Sequence, residues 1–167
     1  METPKMNKKP NALQKFIHRF LMLRPVSAFL AVNLYRLDTL VLKISKGKHT
    51  IAEIVGLPMT QITTTGAKTG EARTMPLVSL FEGEKIALIG SNFGRKTNPG
   101  WYYNLKAHPQ CTALVNGFAQ NYLAHEAQGE EREKYWNMAV AVYQGYELYR
   151  IRAAHRQIPV MVLEPIK

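Results

Sequence analysis

A polar segment at residues 63–77, TTTGAKTGEARTMPL, gathers side chains that bind anions. Within it, residues 63–73 supply two cations, two glycines and four hydroxyl groups, at Lys68 and Arg73, Gly66 and Gly70, and Thr63, Thr64, Thr65 and Thr69. Glycine lets backbone N–H groups approach a ligand closely, and cations with hydroxyl donors suit a phosphate. The segment therefore predicts a phosphate-binding turn, with a solvated hairpin tip that holds no ligand as the alternative. Ala67 stands where a P-loop requires glycine, so a nucleoside triphosphate site is not predicted.

The remaining titratable side chains show no pattern of metal-ion or nucleophilic catalysis. Five histidines lack the spacing of metal ligands, at His18, His49, His108, His125 and His155. Cys111 is the single cysteine, which excludes an intramolecular disulfide and a zinc-binding thiol cluster and indicates a reducing, cytoplasmic location. We expect Cys111 to be a small core residue rather than a nucleophile. No metal site is therefore predicted.

The net charge of +10 is concentrated at the N terminus. Residues 1–50 hold ten lysines and arginines against two acidic residues, whereas residues 51–167 hold twelve against ten. Such an asymmetry indicates a cationic segment that attracts an anionic partner, either a membrane or a nucleic acid. A nucleic-acid interface would also need aromatic side chains interleaved on a basic sheet face, and the sequence lacks that pattern. We therefore expect no nucleic-acid partner.

Residues 11–25 predict a short cationic helix with one apolar face. The apolar stripe comprises Leu13, Phe16, Ile17 and Phe20, with Lys15, His18 and Arg19 off it. Either the segment 1–24 lies on an anionic membrane surface, or the stripe packs on the protein's own core or on a second subunit of a homodimer. The next apolar run, residues 25–35, is too short to span a bilayer, which needs roughly 20 residues. The expected location is the cytoplasm, with the membrane alternative placing the protein at the inner face of the cell membrane.

From residue 51 onward the pattern changes from helical to strand-like. Two hairpins, two helices and two further strands are predicted: strands at 59–66 and 73–81, a strand at 86–92, a helix at 98–109, strands at 110–115 and 118–127 around Asn116-Gly117, a helix at 129–155, and a strand at 157–165. Antiparallel strands interrupted by helices indicate an α+β fold, most economically a small barrel with helices over its openings. Residues 1–50 are predicted to be a basic helical leader, and residues 51–167 the barrel domain.

Four separated segments resemble the deazaflavin-dependent nitroreductase and quinone reductase family. They are TTTGAKTGEARTMPL, NPGWYYNLKAHP, YWNMAVAVYQGYELY and RQIPVMVLEP, within roughly residues 50–165. The resemblance implies a split β-barrel, similar to that of flavin-binding pyridoxamine oxidases, with helices packed over the antiparallel barrel. It also implies coenzyme F420 as the cofactor and hydride transfer from its reduced form to a quinone, a nitro compound or an activated enone. The alternative cofactor is FMN. The alternative function is that of a split-barrel protein that binds FMN or another ligand without F420-dependent turnover.

The resemblance also implies which residues contact the cofactor. The family motif G-x-K-[ST]-G-x-x-R falls on residues 66–73, where Lys68, Thr69 and Arg73, with the backbone of Ala67, would hold the phosphate and acidic tail of F420. The other implied cofactor-binding residues are Thr74, Met75, Pro76, Leu77 and Val78, Ile89, Gly90, Ser91 and Asn92, Trp101, Tyr102, Tyr103, Asn104 and Leu105, and Tyr146.

Three tyrosines recur every third residue near the end of the chain, at Tyr143, Tyr146 and Tyr149. On one continuous helix this spacing drifts by about 60° per step, so a packing stripe in the core or at a dimer interface would include all three only imperfectly. The resemblance implies instead that Tyr143 and Tyr149 contact substrate and that Tyr146 is catalytic. Hydride transfer needs no protein nucleophile. The hydroxyl of Ser91 or Tyr146, or solvent, would supply the accompanying proton.

Overall fold

The computed structural model describes residues 10–44, 51 and 55–166. Two helices come first, α1 at Ala12–Leu21 and α2 at Arg24–Ile44. Helix α1 begins at a capping box, in which Asn11 Oδ1 accepts from the Gln14 N–H at 2.8 Å and Gln14 Oε1 accepts from the Asn11 N–H at 3.0 Å. The predicted boundary at residue 50 lies outside the described residues, as do residues 1–9. The division into a leader and a barrel domain therefore stays a prediction.

Six antiparallel strands close into a barrel. The strands are β1 Met59–Thr65, β2 Ala72–Glu82, β3 Lys85–Ile89, β4 Gln110–Val115, β5 Phe118–Glu126 and β6 Val160–Pro165. Their order around the barrel is β1-β2-β3-β6-β5-β4, and β1 pairs with β4 to complete the circle. Three helices lie between strands in the sequence: α3 Gly100–Ala107 between β3 and β4, and α4 Gly129–Val142 and α5 Gly145–Arg152 between β5 and β6. A 3₁₀ turn at Asn92–Gly94 precedes α3. The predicted α+β split barrel is confirmed.

Turn residues fix the register of the β4–β5 hairpin. Asn116 and Gly117 have φ of 51° and 82°, the left-handed pair that a type I′ turn requires, and they bring Val115 opposite Phe118. In the first hairpin Thr65 pairs with Ala72, so residues 66–71 form the connecting loop. The polar turn recognised in the sequence therefore projects from the end of a long, well-paired hairpin.

The protein packs around two apolar clusters. One fills the barrel and consists of β-strand and α3 side chains, with Ile62, Ile86, Leu88, Leu105 and Leu163 at 0 to 1% exposure. The other lies between the barrel wall and helices α4 and α5, and includes Tyr135, Trp136 and Val160. Cys111 is buried in the barrel cluster, as expected, and burial raises the pKa of its thiol to about 11. The thiol is therefore protonated and unreactive at neutral pH.

The predicted helix over residues 129–155 is wrong in one respect, because it breaks into α4 and α5 at Tyr143. This residue has extended backbone angles, φ −147° and ψ 106°. Its ring folds over Gly145, where an added Cβ would meet Tyr143 Cε1 at 2.2 Å. The ring thus occupies the space that any other side chain at residue 145 would need. The break reorients the chain, so that all three tyrosines reach the same cluster.

Helix α1 presents its apolar stripe outward. Leu13, Phe16 and Phe20 are 67%, 71% and 59% exposed, whereas His18, predicted to lie off the stripe, is 4% exposed. Packing on the protein's own core is therefore wrong for these three residues of the stripe, whereas the fourth, Ile17, is half-buried. The inward side is fixed instead by a polar contact between His18 Nε2 and the Val55 carbonyl, 2.9 Å apart. Within the described ranges, no helix has both the length and the apolarity needed to cross a bilayer.

Substitution of Gly145 tests the cause of the helix break. Gly145→Ala is expected to lower the free energy of unfolding by about 1–3 kcal/mol, since the buried Tyr143 ring must move to admit a methyl group. The measurement is urea denaturation followed by circular dichroism. Gly100→Ala is the matched control, because a Cβ on Gly100 would meet nothing within 4 Å. Equal stability of the two variants would contradict this explanation.

Candidate active site

Two adjoining cavities open at one end of the barrel. The first, called the tyrosine cavity, has a volume of about 260 Å³ and is walled mainly by apolar and aromatic side chains. The second, called the cationic groove, has a volume of about 910 Å³ and contains Lys68 and Arg73. Asn92, Pro99 and Trp101 line both. One continuous site is therefore divided into an apolar part and a charged part.

The loop of the first hairpin and the start of α3 form the cationic groove. Its lining residues are Gly66, Ala67, Lys68, Thr69, Arg73, Met75, Asn92, Asn98, Pro99, Gly100, Trp101, Tyr103 and Asn104. Asn104 joins the two elements, because its Oδ1 accepts from the Ala67 N–H at 3.0 Å and its Nδ2 donates to Thr64 Oγ1 at 3.0 Å. The Ala67 N–H, predicted to face the cofactor, is thus already bound to Asn104.

One of the two cations of the groove, Arg73, already forms an ion pair. Arg73 Nη2 donates to Glu71 Oε2 at 2.7 Å, and the two side chains are 52% and 66% exposed. An ion pair this exposed contributes roughly 0–1 kcal/mol. Charge-assisted hydrogen bonds to a phosphate contribute about 1.5–3 kcal/mol each where they are shielded from water. A phosphate in the groove would therefore be a stronger partner for Arg73 than Glu71 is.

The tyrosine cavity is named for the cluster on its inner wall. Tyr143, Tyr146 and Tyr149 are 5 to 6% exposed, with ring centroids 5.7 to 6.2 Å apart. The hydroxyls of Tyr143 and Tyr149 share a hydrogen bond of 3.3 Å. Burial raises the pKa of all three phenols above the ordinary value. They therefore remain protonated hydrogen-bond donors throughout the physiological range.

Two hydroxyl-bearing side chains of the cavity wall, Ser91 and Tyr146, have hydroxyls without a hydrogen-bond partner among the described residues. Ser91 lies two residues after β3, just before the 3₁₀ turn, and Tyr146 lies in the first turn of α5. Both face a space that is otherwise largely apolar. Both can donate a hydrogen bond to an oxygen atom of a ligand in this cavity.

Most of the predicted site residues line one of the two cavities. Those of the tyrosine cavity are Pro76, Leu77, Val78, Ile89, Ser91, Asn92, Trp101, Tyr143, Tyr146 and Tyr149, and those of the groove are Ala67, Lys68, Thr69, Arg73, Met75, Asn92, Trp101, Tyr103 and Asn104. Four others line neither. Thr74 shares a hydrogen bond with Thr63, Gly90 packs on Pro159, Tyr102 donates to Glu126, and Leu105 lies in the barrel core.

The apolar residues of the tyrosine cavity that come from outside the motifs were not predicted from the sequence. They are Leu21, Leu30, Ile51, Val55, Leu57, Met59 and Phe93. Leu21 and Leu30 belong to α1 and α2, so the N-terminal helices help to enclose the cavity. Apolar side chains carry no chemical signature of a site, and only the tertiary structure brings them together. The apolar stripe of α1 did not reveal them, because it faces outward and the opposite side of the helix packs on the protein.

Arg156, also missed, organises the loop that carries Ser91. Its Nη2 donates to the Ser91 carbonyl at 3.0 Å, its Nη1 to Asn98 Oδ1 at 2.5 Å, and its Nε to the Arg95 carbonyl at 3.1 Å. The loop contains two residues in the left-handed region, Asn92 and Phe93, with φ of 46° and 57°. The planar guanidinium holds several carbonyl groups at once, which a lysine at this position would not reproduce.

Known proteins resemble the chain in both sequence and structure. A profile described as F420H(2)-dependent quinone reductase matches residues 34–165. An F420H(2)-dependent quinone reductase of Mycobacterium tuberculosis is 32% identical over 109 residues, which is 64% of this chain and 72% of that protein. The solved structure of an F420-H2 dependent reductase, FDR-A, matches with a TM-score of 0.59 and 38% identity, over 64% of this chain and 94% of that chain.

A second solved structure, reported as a domain-swapped dimer, has a TM-score of 0.60 and 33% identity, over 80% of this chain and 98% of that chain. The profile covers most of the sequence and includes the polar turn, α3 and the three tyrosines. The resemblance seen in the sequence is confirmed. The chain belongs to the F420H(2)-dependent quinone reductase family of deazaflavin-dependent oxidoreductases.

Proposed function

We propose that this protein reduces a quinone with reduced coenzyme F420 as the electron donor. The observation that carries the proposal is the junction of the tyrosine cavity with the cationic groove at Trp101. The cofactor is divided in the same way, into an aromatic ring and a phosphate-bearing acidic tail. Family membership supports F420 rather than FMN as the cofactor.

The donor set of the groove fits the charged part of this cofactor. Lys68 and Arg73 would hold the acidic tail, and Thr69 adds a hydroxyl donor beside them. The N terminus of α3 also borders the groove at Gly100, and the partial positive charge of a helix N terminus favours an anion. The apolar side chains next to Trp101, including Pro76 and Ile89, would enclose the ring.

The tyrosine cavity fits the chemistry of the acceptor. When bound, the reduced deazaflavin supplies a hydride. An acceptor that takes up a hydride develops negative charge on an oxygen atom, which a prearranged donor stabilises. The free hydroxyls of Ser91 and Tyr146 are such donors, and one of them, or solvent, delivers the proton. Nitro compounds and activated enones develop charge on oxygen in the same manner, so we propose them as further acceptors.

Removing a groove cation tests where the cofactor tail binds. Lys68→Ala and Arg73→Ala are each expected to weaken F420 binding about tenfold to a hundredfold, because each removes charge-assisted hydrogen bonds. Equilibrium titration of F420 fluorescence gives the dissociation constants, and a parallel titration with FMN is expected to show weaker binding. Added salt should weaken the wild-type complex more steeply than the Lys68→Ala complex, since the variant has lost one ionic contact.

The control for charge loss is Lys134→Ala, which removes an exposed α4 cation that pairs with Glu82 and does not line the groove. Its F420 affinity should equal that of the wild type. Dissociation constants within about twofold of the wild type for both groove variants would mean that the hairpin loop is only a solvated tip.

Tyr146→Phe tests the donor role of the unpaired hydroxyl. The variant is expected to lower kcat/KM for menadione roughly tenfold to a hundredfold with F420 affinity unchanged, since it removes one donor to the developing oxyanion and keeps the packed ring. Burial raises the Tyr146 pKa, so the phenol stays protonated and no alkaline loss of rate should arise from it below about pH 10. Tyr122→Phe is the control, because it deletes a tyrosine hydroxyl that donates to Gln120 Oε1 and lines neither cavity. Equal menadione kinetics in Tyr146→Phe and Tyr122→Phe would overturn the assignment.

We further propose that residues 1–24 bind the protein to an anionic membrane at the inner face of the cell membrane. The support is the exposed stripe of α1 together with the exposed cations Lys15 and Arg19 on the same helix. Such a helix gains both apolar burial and electrostatic attraction at a membrane surface. A quinone acceptor is lipophilic, so this location would bring enzyme and acceptor together. The competing occupant of the stripe is a second copy of the chain.

Replacing the two exposed phenylalanines separates these occupants. The double variant Phe16→Ser and Phe20→Ser is expected to lose co-sedimentation with phosphatidylglycerol vesicles, with its fold and its reduction of menadione unchanged. Phe118→Ser is the matched control, since Phe118 is 74% exposed on the distant β4–β5 turn. Retained vesicle binding, with a change from dimer to monomer by light scattering, would instead show that the stripe pairs with a second copy.

A further inference from the structure

Arg152 connects the last helix to the N-terminal helices. Its Nη2 donates to the Met22 carbonyl and its Nη1 to Ser27 Oγ, both at 2.7 Å. Its guanidinium carbon lies 5.7 Å from the centroid of the Tyr149 ring. No carboxylate of the described residues forms an ion pair with Arg152. The polar contacts of this cation are therefore directed at α1 and α2, and its planar face at a tyrosine of the proposed acceptor site.

The two acceptors of Arg152 define an elbow between α1 and α2. Met22 is the C-cap of α1, and Ser27 lies in the first turn of α2, where it is 2% exposed. The Ser27 hydroxyl also donates to the Arg24 carbonyl at 3.1 Å, so the elbow is internally braced. We call residues 18–30, which include this elbow, the helical roof, because Leu21 and Leu30 within it line the tyrosine cavity.

A second contact holds the helical roof at its start. His18 is buried, its Nε2 lies 2.9 Å from the Val55 carbonyl, and its ring meets the edge of Tyr143 with centroids 5.0 Å apart. The roof is thus attached at two points, and each of them also touches one of the tyrosines. Of the two attachments, Arg152 provides the charged one, with two hydrogen bonds from a single guanidinium group. The strength of such a pair of bonds depends strongly on their geometry.

We infer that Arg152 is a positioning residue that keeps the helical roof closed over the acceptor cavity, and thereby sets the apparent affinity for the acceptor. A ligand that binds only the closed form has an apparent dissociation constant inversely proportional to the closed fraction. Without Arg152, the closed fraction falls and the apolar contacts of Leu21 and Leu30 with the acceptor are lost part of the time. The cationic groove, where the acidic tail of the cofactor would bind, is formed by other elements, so we expect cofactor affinity to depend much less on this contact than acceptor affinity does. The inference rests on the proposed acceptor site.

The test compares Arg152→Ala with Arg150→Ala, a cation two residues away on the same helix. Arg150 pairs with Glu147 at 2.5 Å and lies over Trp136, so its loss controls for a change of charge on α5. Binding of menadione to the cofactor-free protein is measured by quenching of tryptophan fluorescence. Arg152→Ala is expected to weaken menadione binding roughly tenfold, the loss that follows when one molecule in ten stays closed. F420 affinity should stay within about twofold of the wild type.

Hydrogen exchange and a double-mutant cycle show whether the effect passes through the roof. The amides of residues 18–30 should exchange faster in Arg152→Ala than in the wild type, and at the wild-type rate in Arg150→Ala. Ser27→Ala should weaken menadione binding less than Arg152→Ala, and should add little to it in the double variant, because the two side chains form one contact. Arg152→Lys should recover part of the affinity.

Three results would overturn the inference. The first is a menadione affinity of Arg152→Ala equal to that of Arg150→Ala. The second is amide exchange of residues 18–30 that is the same in Arg152→Ala as in the wild type. The third is a parallel loss of F420 affinity in Arg152→Ala, which would indicate general damage to the site. A wild-type protein that binds menadione but does not reduce it would contradict the proposed function alone. The binding and exchange measurements need no turnover, so they decide the role of Arg152 in either case.

Discussion

The site depends on a steric constraint at the junction of α4 and α5. The ring of Tyr143 lies where a side chain at residue 145 would be, so glycine is required there and the chain leaves the helical path at Tyr143. A continuous helix would carry tyrosines spaced by three residues progressively around its surface. With the break, Tyr143, Tyr146 and Tyr149 pack edge to face in one cluster. The same turn of the chain places Arg152 within reach of the N-terminal helices.

The division of the site into an apolar and a charged part follows from the barrel. One end of the barrel carries the loop between β1 and β2, and residue type changes along β2 from exposed and charged at Arg73 to apolar at Leu77. The strand thus runs from the groove into the tyrosine cavity. Asn104 on α3 and Arg156 after α5 fix the loops on either side through hydrogen bonds to backbone groups. Neither residue needs to touch a ligand in order to determine the shape of the site.

Local patterns in the sequence predicted most of the elements and the charged part of the site. The Asn116-Gly117 turn, the alternating strands and the donors at Lys68 and Arg73 are all properties of short segments, which is why they were readable. The helix break at Tyr143 was not, because it results from a ring packing against a glycine within a sequence that otherwise has helical character. The burial of His18 was missed for a related reason. An apolar stripe normally marks the inward face of a helix, and in α1 a polar contact with Val55 reverses it.

The closed barrel limits how two copies of the chain associate. Each of the six strands is paired on both sides, so the described structure offers no free strand edge at which a neighbour's strand can extend the sheet. Two barrels can therefore join through side-chain surfaces, or through reciprocal exchange of a whole element such as an N-terminal helix. Closure also protects the chain from edge-to-edge polymerisation, which is an advantage for a protein whose first helix presents uncovered phenylalanines.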